Sequence, residues 1–150
     1  MQDLILLQEH IPKLILAAII GGVIGLERSN RGVGIVGYGT LAIITLGCTL
    51  LTILSVNAMG GSDPSRLIAN IISSIGFLAG GVIFTRRTEN DKELVGLTTG
   101  AVIFTLSAIG ITIGLGYYGL AIVAAVLVEL NILISKLIKR SRKNSNDDME

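Results

Sequence analysis

Apolar residues fill five long stretches of this chain, and polar residues are concentrated in the short segments between them. Crossing about 30 Å of hydrocarbon takes roughly 20 mostly apolar helical residues, whereas a buried helix of a soluble protein is usually shorter and carries a polar stripe. None of the five stretches shows such a stripe. The pattern therefore predicts an all-α, polytopic membrane protein with five transmembrane helices, at about residues 11–27, 40–58, 66–85, 97–115 and 119–138.

Five helices of this length use about 100 of the 150 residues. We therefore expect a single transmembrane domain over residues 1–143 and a short acidic cytoplasmic tail over residues 144–150. The first stretch is not a cleavable signal peptide, because acidic residues precede it and a charged pair ends it. Cys48 is the only cysteine, so one chain can form neither a disulfide nor a thiolate metal cluster.

Basic residues are distributed unevenly between the two sets of helix ends. Lys13 and Arg66 fall at one set. The others fall at the opposite set, and they are Arg28, Arg31, Arg86, Arg87, Lys92, Lys136, Lys139, Arg140, Arg142 and Lys143. Because basic residues stay on the cytoplasmic side, this asymmetry predicts that the amino terminus is outside and the carboxyl terminus is in the cytoplasm.

The first four predicted helices contain an internal repeat. Residues 21–48 align with residues 80–107 without a gap, so that GGVI falls on GGVI, Arg28 on Arg87 and Thr40 on Thr99. The shared order predicts two parallel two-helix repeats related by an axis along the membrane normal. The fifth helix has no counterpart.

Small residues spaced four apart allow membrane helices to approach closely. Ala17, Gly21 and Gly25 form one such face, and the repeat aligns Ala17 and Gly21 with Gly76 and Gly80. We therefore expect the first and third helices to cross closely at the repeat axis. Similar pairs lie at the two ends of the fourth helix, Gly96 with Gly100 and Gly110 with Gly114. Taken singly, each glycine is explained by packing alone.

Polar residues of both repeats are predicted to converge at the cytoplasmic helix ends. Two pairs end the first and third helices and two threonines begin the second and fourth: Glu27 and Arg28, Arg86 and Arg87, Thr40 and Thr99. This convergence is the candidate functional site. In the alternative interpretation the basic residues only fix the topology and the glutamate neutralises one of them.

Three other polar residues stand out. Asp63, just before Pro64, suits the cap of the third helix. Arg66 is placed to extend its side chain to the interface or to pair with Asp63. Glu129 falls near the middle of the fifth helix, where a charge costs on the order of 2.5–3.5 kcal/mol. We expect Glu129 to be protonated, paired or in contact with a neighbouring subunit.

The sequence shows no enzyme, and it indicates no catalytic residue, metal site, cofactor or nucleic-acid partner. No histidine and carboxylate cluster has ligand spacing, and no serine has a histidine near it. The glycine-rich segment ERSNRGVGIVGYG lacks the strand, spacing and lysine of a phosphate-binding loop.

Four segments resemble the membrane domain of the MgtC/SapB family of bacterial inner-membrane proteins, in the family's order: GLERSNR, VGYGTLAIITLG, DPSRLIANIISSIGFLAGGVIF and VGLTTGAVIFTLSAIG. The resemblance implies a multi-pass plasma-membrane protein linked to magnesium limitation, acid or host stress and virulence. For the family's namesake it also implies inhibition of the F-type ATP synthase by contact in the membrane, and it does not imply magnesium transport. Thr98 joins the candidate residues through this match, whereas Gly39 and Val95 stand where the family usually has arginine.

Three functional hypotheses remain open. The favoured one is a regulatory protein, expected to be a homo-oligomer in the lipid bilayer, that docks its helices on another membrane complex. The second is a small homo-oligomeric transporter or channel for an ion or solute, which the repeat and Glu129 motivate. The third is a passive scaffold or assembly factor.

Overall fold

The computed structural model describes residues 2–30, 36–57, 63–84 and 96–147 of the chain. These ranges form five helices: α1 (Gln2–Asn30), α2 (Tyr38–Asn57), α3 (Pro64–Phe84), α4 (Gly96–Gly114) and α5 (Tyr118–Asp147). All five are long and apolar enough to cross a membrane, and the described ranges contain no strand. The predicted all-α fold with five transmembrane helices is confirmed.

The long helices α1 and α5 extend beyond the parts that are apolar enough to span a membrane. Those parts are Leu7–Asn30 in α1 and Tyr118–Ser135 in α5. The last 12 residues of α5, 136–147, add about 18 Å of helix past its span. The segment predicted as a tail therefore begins within α5.

A tight turn at Gly116 joins α4 to α5. The amide of Gly116 donates to the carbonyl oxygen of Ile113 at 2.9 Å, and the amide of Tyr117 donates to that of Thr112 at 3.0 Å. This pair of bonds is a Schellman motif, which needs a left-handed residue at its end, and Gly116 supplies it with φ of 89°. The turn folds α5 back along α4.

The central helix of the bundle is α4, which packs against all four other helices. Of its membrane-length segment 61% is buried, compared with 39% for α2 and 6% for α5. The helices α2 and α4 run in the same direction side by side, with α1 and α3 flanking them, and α5 packs chiefly on α4.

The small-residue face of α1 packs against α2, so the predicted crossing of the first and third helices is wrong. Ala17 is fully buried, and a Cβ built at Gly21 or Gly25 would lie within 2.8 Å of backbone atoms of α2. On α3, a Cβ built at Gly76 or Gly80 would have no other atom within 4 Å. The short connection between α1 and α2 brings these two helices together first, and a small-residue motif does not itself select which neighbour it contacts.

The contacts between helices also bear on where a repeat axis could lie. Two pairs of contacts correspond to each other: α1 with α2 corresponds to α3 with α4, and α2 with α3 corresponds to α4 with α1. An axis that exchanges the hairpin formed by α1 and α2 with the hairpin formed by α3 and α4 would therefore pass between α2 and α4. The duplication itself stays a prediction.

Candidate functional site

A buried arginine joins α1 to α4 at the end of the bundle where α1 ends. Arg28 is 4% exposed, and its Nη2 donates a hydrogen bond to Oγ1 of Thr99, 2.9 Å away. Thr99 is only 2% exposed. Arg28 lies in the last turn of α1, where the helix dipole favours a positive charge. The bond ties the last turn of α1 to the first turn of α4.

Glycines bring the backbones close together at this same end. A Cβ built at Gly96 would lie 2.6 Å from the carbonyl oxygen of Val82, and one built at Gly100 would lie 2.9 Å from that of Ala79. On the other hairpin, a Cβ built at Gly25 would lie 2.7 Å from a Cα atom of α2. Any larger residue at these positions would push α3 away from α4 or α1 away from α2, so the glycines fix the spacing within each of these two helix pairs.

The structure describes two of the remaining residues of the predicted convergence, Glu27 and Thr40. Glu27 is half-buried beside the arginine, while Thr40 and Thr98 are exposed. Arg86 and Arg87 lie outside the described residues. The convergence is therefore seen for the arginine and threonine pair and stays a prediction for the rest.

At the opposite end of the bundle, Asp63 caps α3. Its Oδ1 accepts a hydrogen bond from the amide of Ser65 at 2.9 Å, and its Oδ2 accepts one from the Ser65 hydroxyl at 2.7 Å. Both bonds lower the pKa of Asp63 below its ordinary value, and the bond from the Ser65 hydroxyl has the larger effect. Arg66 is exposed, and among the described residues it forms no ion pair with Asp63. Sequence reasoning identified the cap but missed Ser65 as its partner.

A line of buried hydroxyl groups runs along the buried side of α2, which faces α4 and, at its edges, α1 and the start of α3. Each of its members is 0% exposed, and we call this set the hydroxyl seam: Thr45, Thr49, Thr52 and Ser55. Oγ1 of Thr49 lies 2.9 Å from the carbonyl oxygen of Thr45 and 2.8 Å from that of Gly110 on α4. Ser55 donates to the carbonyl oxygen of Pro64 at 2.9 Å, which ties α2 to the start of α3.

The hydroxyl seam was missed at the level of sequence. The interpretation that no stretch carries a polar stripe is wrong for α2, because Thr45, Thr49 and Thr52 share one helical face at intervals of four and three residues. Glycines of α4 lie directly opposite: a Cβ built at Gly110 would lie 2.5 Å from the Thr45 carbonyl oxygen, and one at Gly114 would lie 2.6 Å from Cβ of Thr52. Periodicity of the hydroxyl residues was the signal that could have found the seam.

Glu129 lies on the side of α5 that faces the bundle. Ala121 and Ala125 precede it at intervals of four residues, and both belong to or pack against the hydrophobic core. The Glu129 side chain is half-buried, and its Oε2 is enclosed without a hydrogen-bond partner among the described residues. This oxygen is therefore kept away from bulk lipid.

A cavity of about 320 Å³ opens on the lateral surface between α2 and α3. Its walls are apolar apart from the backbone and the side chains of Asn70, Ser74 and Cys48. Within the part of the chain that the structure describes, no three His, Cys, Asp or Glu side chains are grouped so that they could hold a metal ion.

Five membrane-length helices, close glycine contacts, buried hydroxyls and one enclosed arginine define a multi-pass α-helical membrane protein. Comparison with known proteins makes the assignment more specific. The chain belongs to the MgtC family, whose family model matches residues 14–141. The resemblance found in the sequence is thereby confirmed.

Several bacterial proteins are similar to this chain over most of its length. The putative magnesium transporter YhiD of Escherichia coli is 40% identical over 130 residues, which are 81% of this chain and 58% of the relative. Protein SapB of Bacillus subtilis is 37% identical over 128 residues, 80% of this chain and 53% of the relative. Protein MgtC of Brucella abortus is 33% identical over 124 residues, which are 82% of this chain and 50% of the relative.

The chain thus spans little more than half the length of these relatives. No solved structure matches it.

Proposed function

We propose that this chain is a bacterial inner-membrane protein of magnesium homeostasis that regulates another membrane complex by docking its helices on it. Family membership supports the link to magnesium, since one relative is named a putative magnesium transporter. The proposed setting is magnesium limitation, acid or host stress, with the amino terminus outside and the carboxyl terminus in the cytoplasm. The F-type ATP synthase is the first complex to test, because the family resemblance suggests it.

The observation that carries this proposal is the filled interior between α2 and α4. The four side chains of the hydroxyl seam are each 0% exposed, and the glycines opposite them leave no space for even a methyl group. A transport path needs a polar cavity wide enough for the ion or solute to bind and leave. A close-packed bundle acts instead through its lateral surface.

The helix α5 offers the best lateral surface for docking. It packs chiefly on α4, and only 6% of its membrane-length segment is buried. Large apolar side chains cover its outward face, including Val123, Val126, Leu127 and Leu130, each about half exposed. Beyond the span the same helix continues to Asp147 through five of the chain's basic residues. A partner could therefore contact one continuous helix both in the membrane and at the cytoplasmic surface.

The docking function can be tested by reconstituting this protein with purified F-type ATP synthase in liposomes. We expect ATP-driven proton pumping to slow as the amount of this protein rises. A photoreactive residue at Leu127 on α5 should crosslink to a membrane subunit of the synthase. The matched control is Ile19 on α1, which is 55% exposed, almost the same as Leu127 at 54%.

Unchanged pumping together with equal crosslinking from both positions would contradict docking through α5. Copurification of a different, larger membrane complex through Leu127 and not through Ile19 would retain the docking function and change the partner.

Glu129 and the name of one relative favour magnesium transport as a second candidate. An enclosed carboxyl group in mid-membrane is the kind of residue that marks ion pathways. Liposomes that contain the protein alone distinguish the two functions. Magnesium flux that disappears in Glu129→Gln would establish transport, and its absence across a range of magnesium gradients would leave docking as the function.

A further inference from the structure

One exposed stripe of α3 carries two polar side chains although it lies within a membrane-length segment. Asn70, Ser74, Phe77 and Gly81 follow one another at intervals of four, three and four residues, and all are exposed. At 100° per residue these four positions fall within about 60° of one another around the helix. We call this set the Asn70 stripe.

The Asn70 amide is poorly suited to contact with lipid. Asn70 lies about 9 Å along α3 from Pro64, inside the membrane-length segment Pro64–Ile83. Among the described residues its side chain makes no hydrogen bond, and only its backbone carbonyl accepts one, from Ser74 at 2.8 Å. Because hydrocarbon offers no donors or acceptors, an amide at this depth is stabilised by a polar partner from outside the chain.

The shape of the surface beside Asn70 supplies both a groove and a projection. Asn70 and Ser74 line the cavity of about 320 Å³ between α2 and α3, whose opposite wall includes Gly47. One turn further along the stripe, the ring of Phe77 is 86% exposed. A groove and a projecting ring on one face are the features of a self-complementary surface, which a two-fold symmetric dimer requires.

We propose that two copies of this chain associate through the Asn70 stripe, about a two-fold axis along the membrane normal. In this dimer α3 of each copy lies beside α3 of the other, Asn70 hydrogen-bonds to Asn70 across the axis, and Phe77 packs at the rim of the groove between α2 and α3 of the opposite copy.

A second copy fits this surface better than lipid because of the chemistry of the amide. An asparagine carries both a donor and an acceptor, so it can pair with its own symmetry mate at the same depth. A single asparagine in an otherwise apolar helix interface is known to fix register and the number of chains in this way. The acyl chain of a lipid would fill the groove and leave the amide without a partner.

Disulfide crosslinking in liposomes tests the geometry directly. In a Cys48→Ala background, Asn70→Cys places a thiol on the stripe, and Ile72→Cys places one at nearly the same depth on another side of α3, where Ile72 is also exposed, at 43%. We expect mild oxidation to give a dimer with Asn70→Cys and not with Ile72→Cys.

Crosslinking that is equal at the two positions would mean random collision and would overturn the proposal. Absence of crosslinking at both positions would overturn it as well. A dimer leaves the outward face of α5 open, so this experiment and the test of docking on the ATP synthase can fail independently.

The dimerisation equilibrium tests the role of the amide itself. Energy transfer between labelled copies, measured as protein is diluted in lipid, should show a dissociation constant that is roughly 3- to 30-fold higher for Asn70→Leu. Asn70→Gln keeps the amide and should recover much of the association. Native mass spectrometry that finds only monomers, with a bound lipid that Asn70→Leu loses, would assign the groove to lipid and reject the dimer.

Discussion

At the scale of single residues, the contact between Arg28 and Thr99 has the largest consequence. A charged guanidinium that is 4% exposed has lost most of its hydration, and the threonine hydroxyl replaces part of it at 2.9 Å. Removing one partner of a buried charged hydrogen bond is costly because the other partner stays buried without it. The threonine can therefore be replaced less easily than its exposed neighbour at position 98.

The substitution Thr99→Val removes the acceptor and preserves the shape of the side chain. We expect it to lower the free energy of unfolding by about 1.5–3 kcal/mol. Chemical denaturation in mild detergent, followed by circular dichroism, provides the measurement. Thr98→Val is the control, because Thr98 is exposed, and it should change stability little. Equal effects of the two substitutions would show that the hydrogen bond contributes nothing specific.

The cap of α3 should make stability depend on acid pH. Because hydrogen bonds from Ser65 lower the folded-state pKa of Asp63, the folded protein favours the ionised carboxylate. That contribution is present above the unfolded value of about 3.9 and is lost as the pH falls through the lower folded value. Melting temperatures measured between about pH 7 and pH 3 should fall more for the native chain than for Asp63→Asn, which keeps a capping oxygen without a titrating group. Parallel curves for the two proteins would show that ionisation of Asp63 does not account for the loss of stability at acid pH.

At the scale of helices, the sequence predicts which segments are helical but not which neighbours they contact. Length and apolarity define the five helices, because every spanning segment must satisfy its own backbone in lipid. Pairing is different, since hydrocarbon is as apolar as leucine and gives no direction to an apolar face. Gly21 and Gly76 carry the same sequence signal, yet the first is packed on α2 and the second has open space around it. The arginine and threonine contact was predictable in part, because both residues were assigned to one end of the bundle.

The contrast between packed and open glycines gives a prediction at this scale. Gly110→Ala places a Cβ where the Thr45 carbonyl oxygen already lies within 2.5 Å, so α2 and α4 must separate. We expect a loss of about 1–3 kcal/mol in the free energy of unfolding. Gly76→Ala meets no atom within 4 Å, and replacing a helical glycine should leave stability unchanged or raise it by up to about 1 kcal/mol. Denaturation of the two variants under the same conditions decides the matter, and a larger loss for Gly76→Ala would contradict the observed packing.

At the scale of the whole molecule, an odd number of membrane-length helices predicts that α1 begins and α5 ends on opposite sides of the membrane. The uneven distribution of basic residues, with most of them at the end where α1 and α3 finish, predicts which side is cytoplasmic. The packing of the bundle is the same in either orientation. The orientation is therefore a prediction from the sequence alone.

Thiol labelling in cells tests the orientation. In a Cys48→Ala background, Gln2→Cys should react with a membrane-impermeant maleimide from the outside, and Ser145→Cys should react only after the membrane is opened. Both positions lie on α1 and α5 outside the membrane-length segments, so the membrane decides which of them the reagent reaches. Labelling of Ser145→Cys in intact cells would reverse the proposed topology.

The hydroxyl seam also bears on how the chain is made. Three of its hydroxyls already have an acceptor four residues back on α2 itself: Thr45 donates to Leu41, Thr49 to Thr45, and Thr52 to Cys48, at 2.7–2.9 Å. As the nascent polypeptide leaves the ribosome, α2 can therefore enter the bilayer before α4 has been synthesised, with these donors already satisfied. The bond from Thr49 to Gly110 has to wait for α4, as the bond from Ser55 to Pro64 waits for α3. Most of the packing between α2 and α4 therefore forms late, through complementary shape.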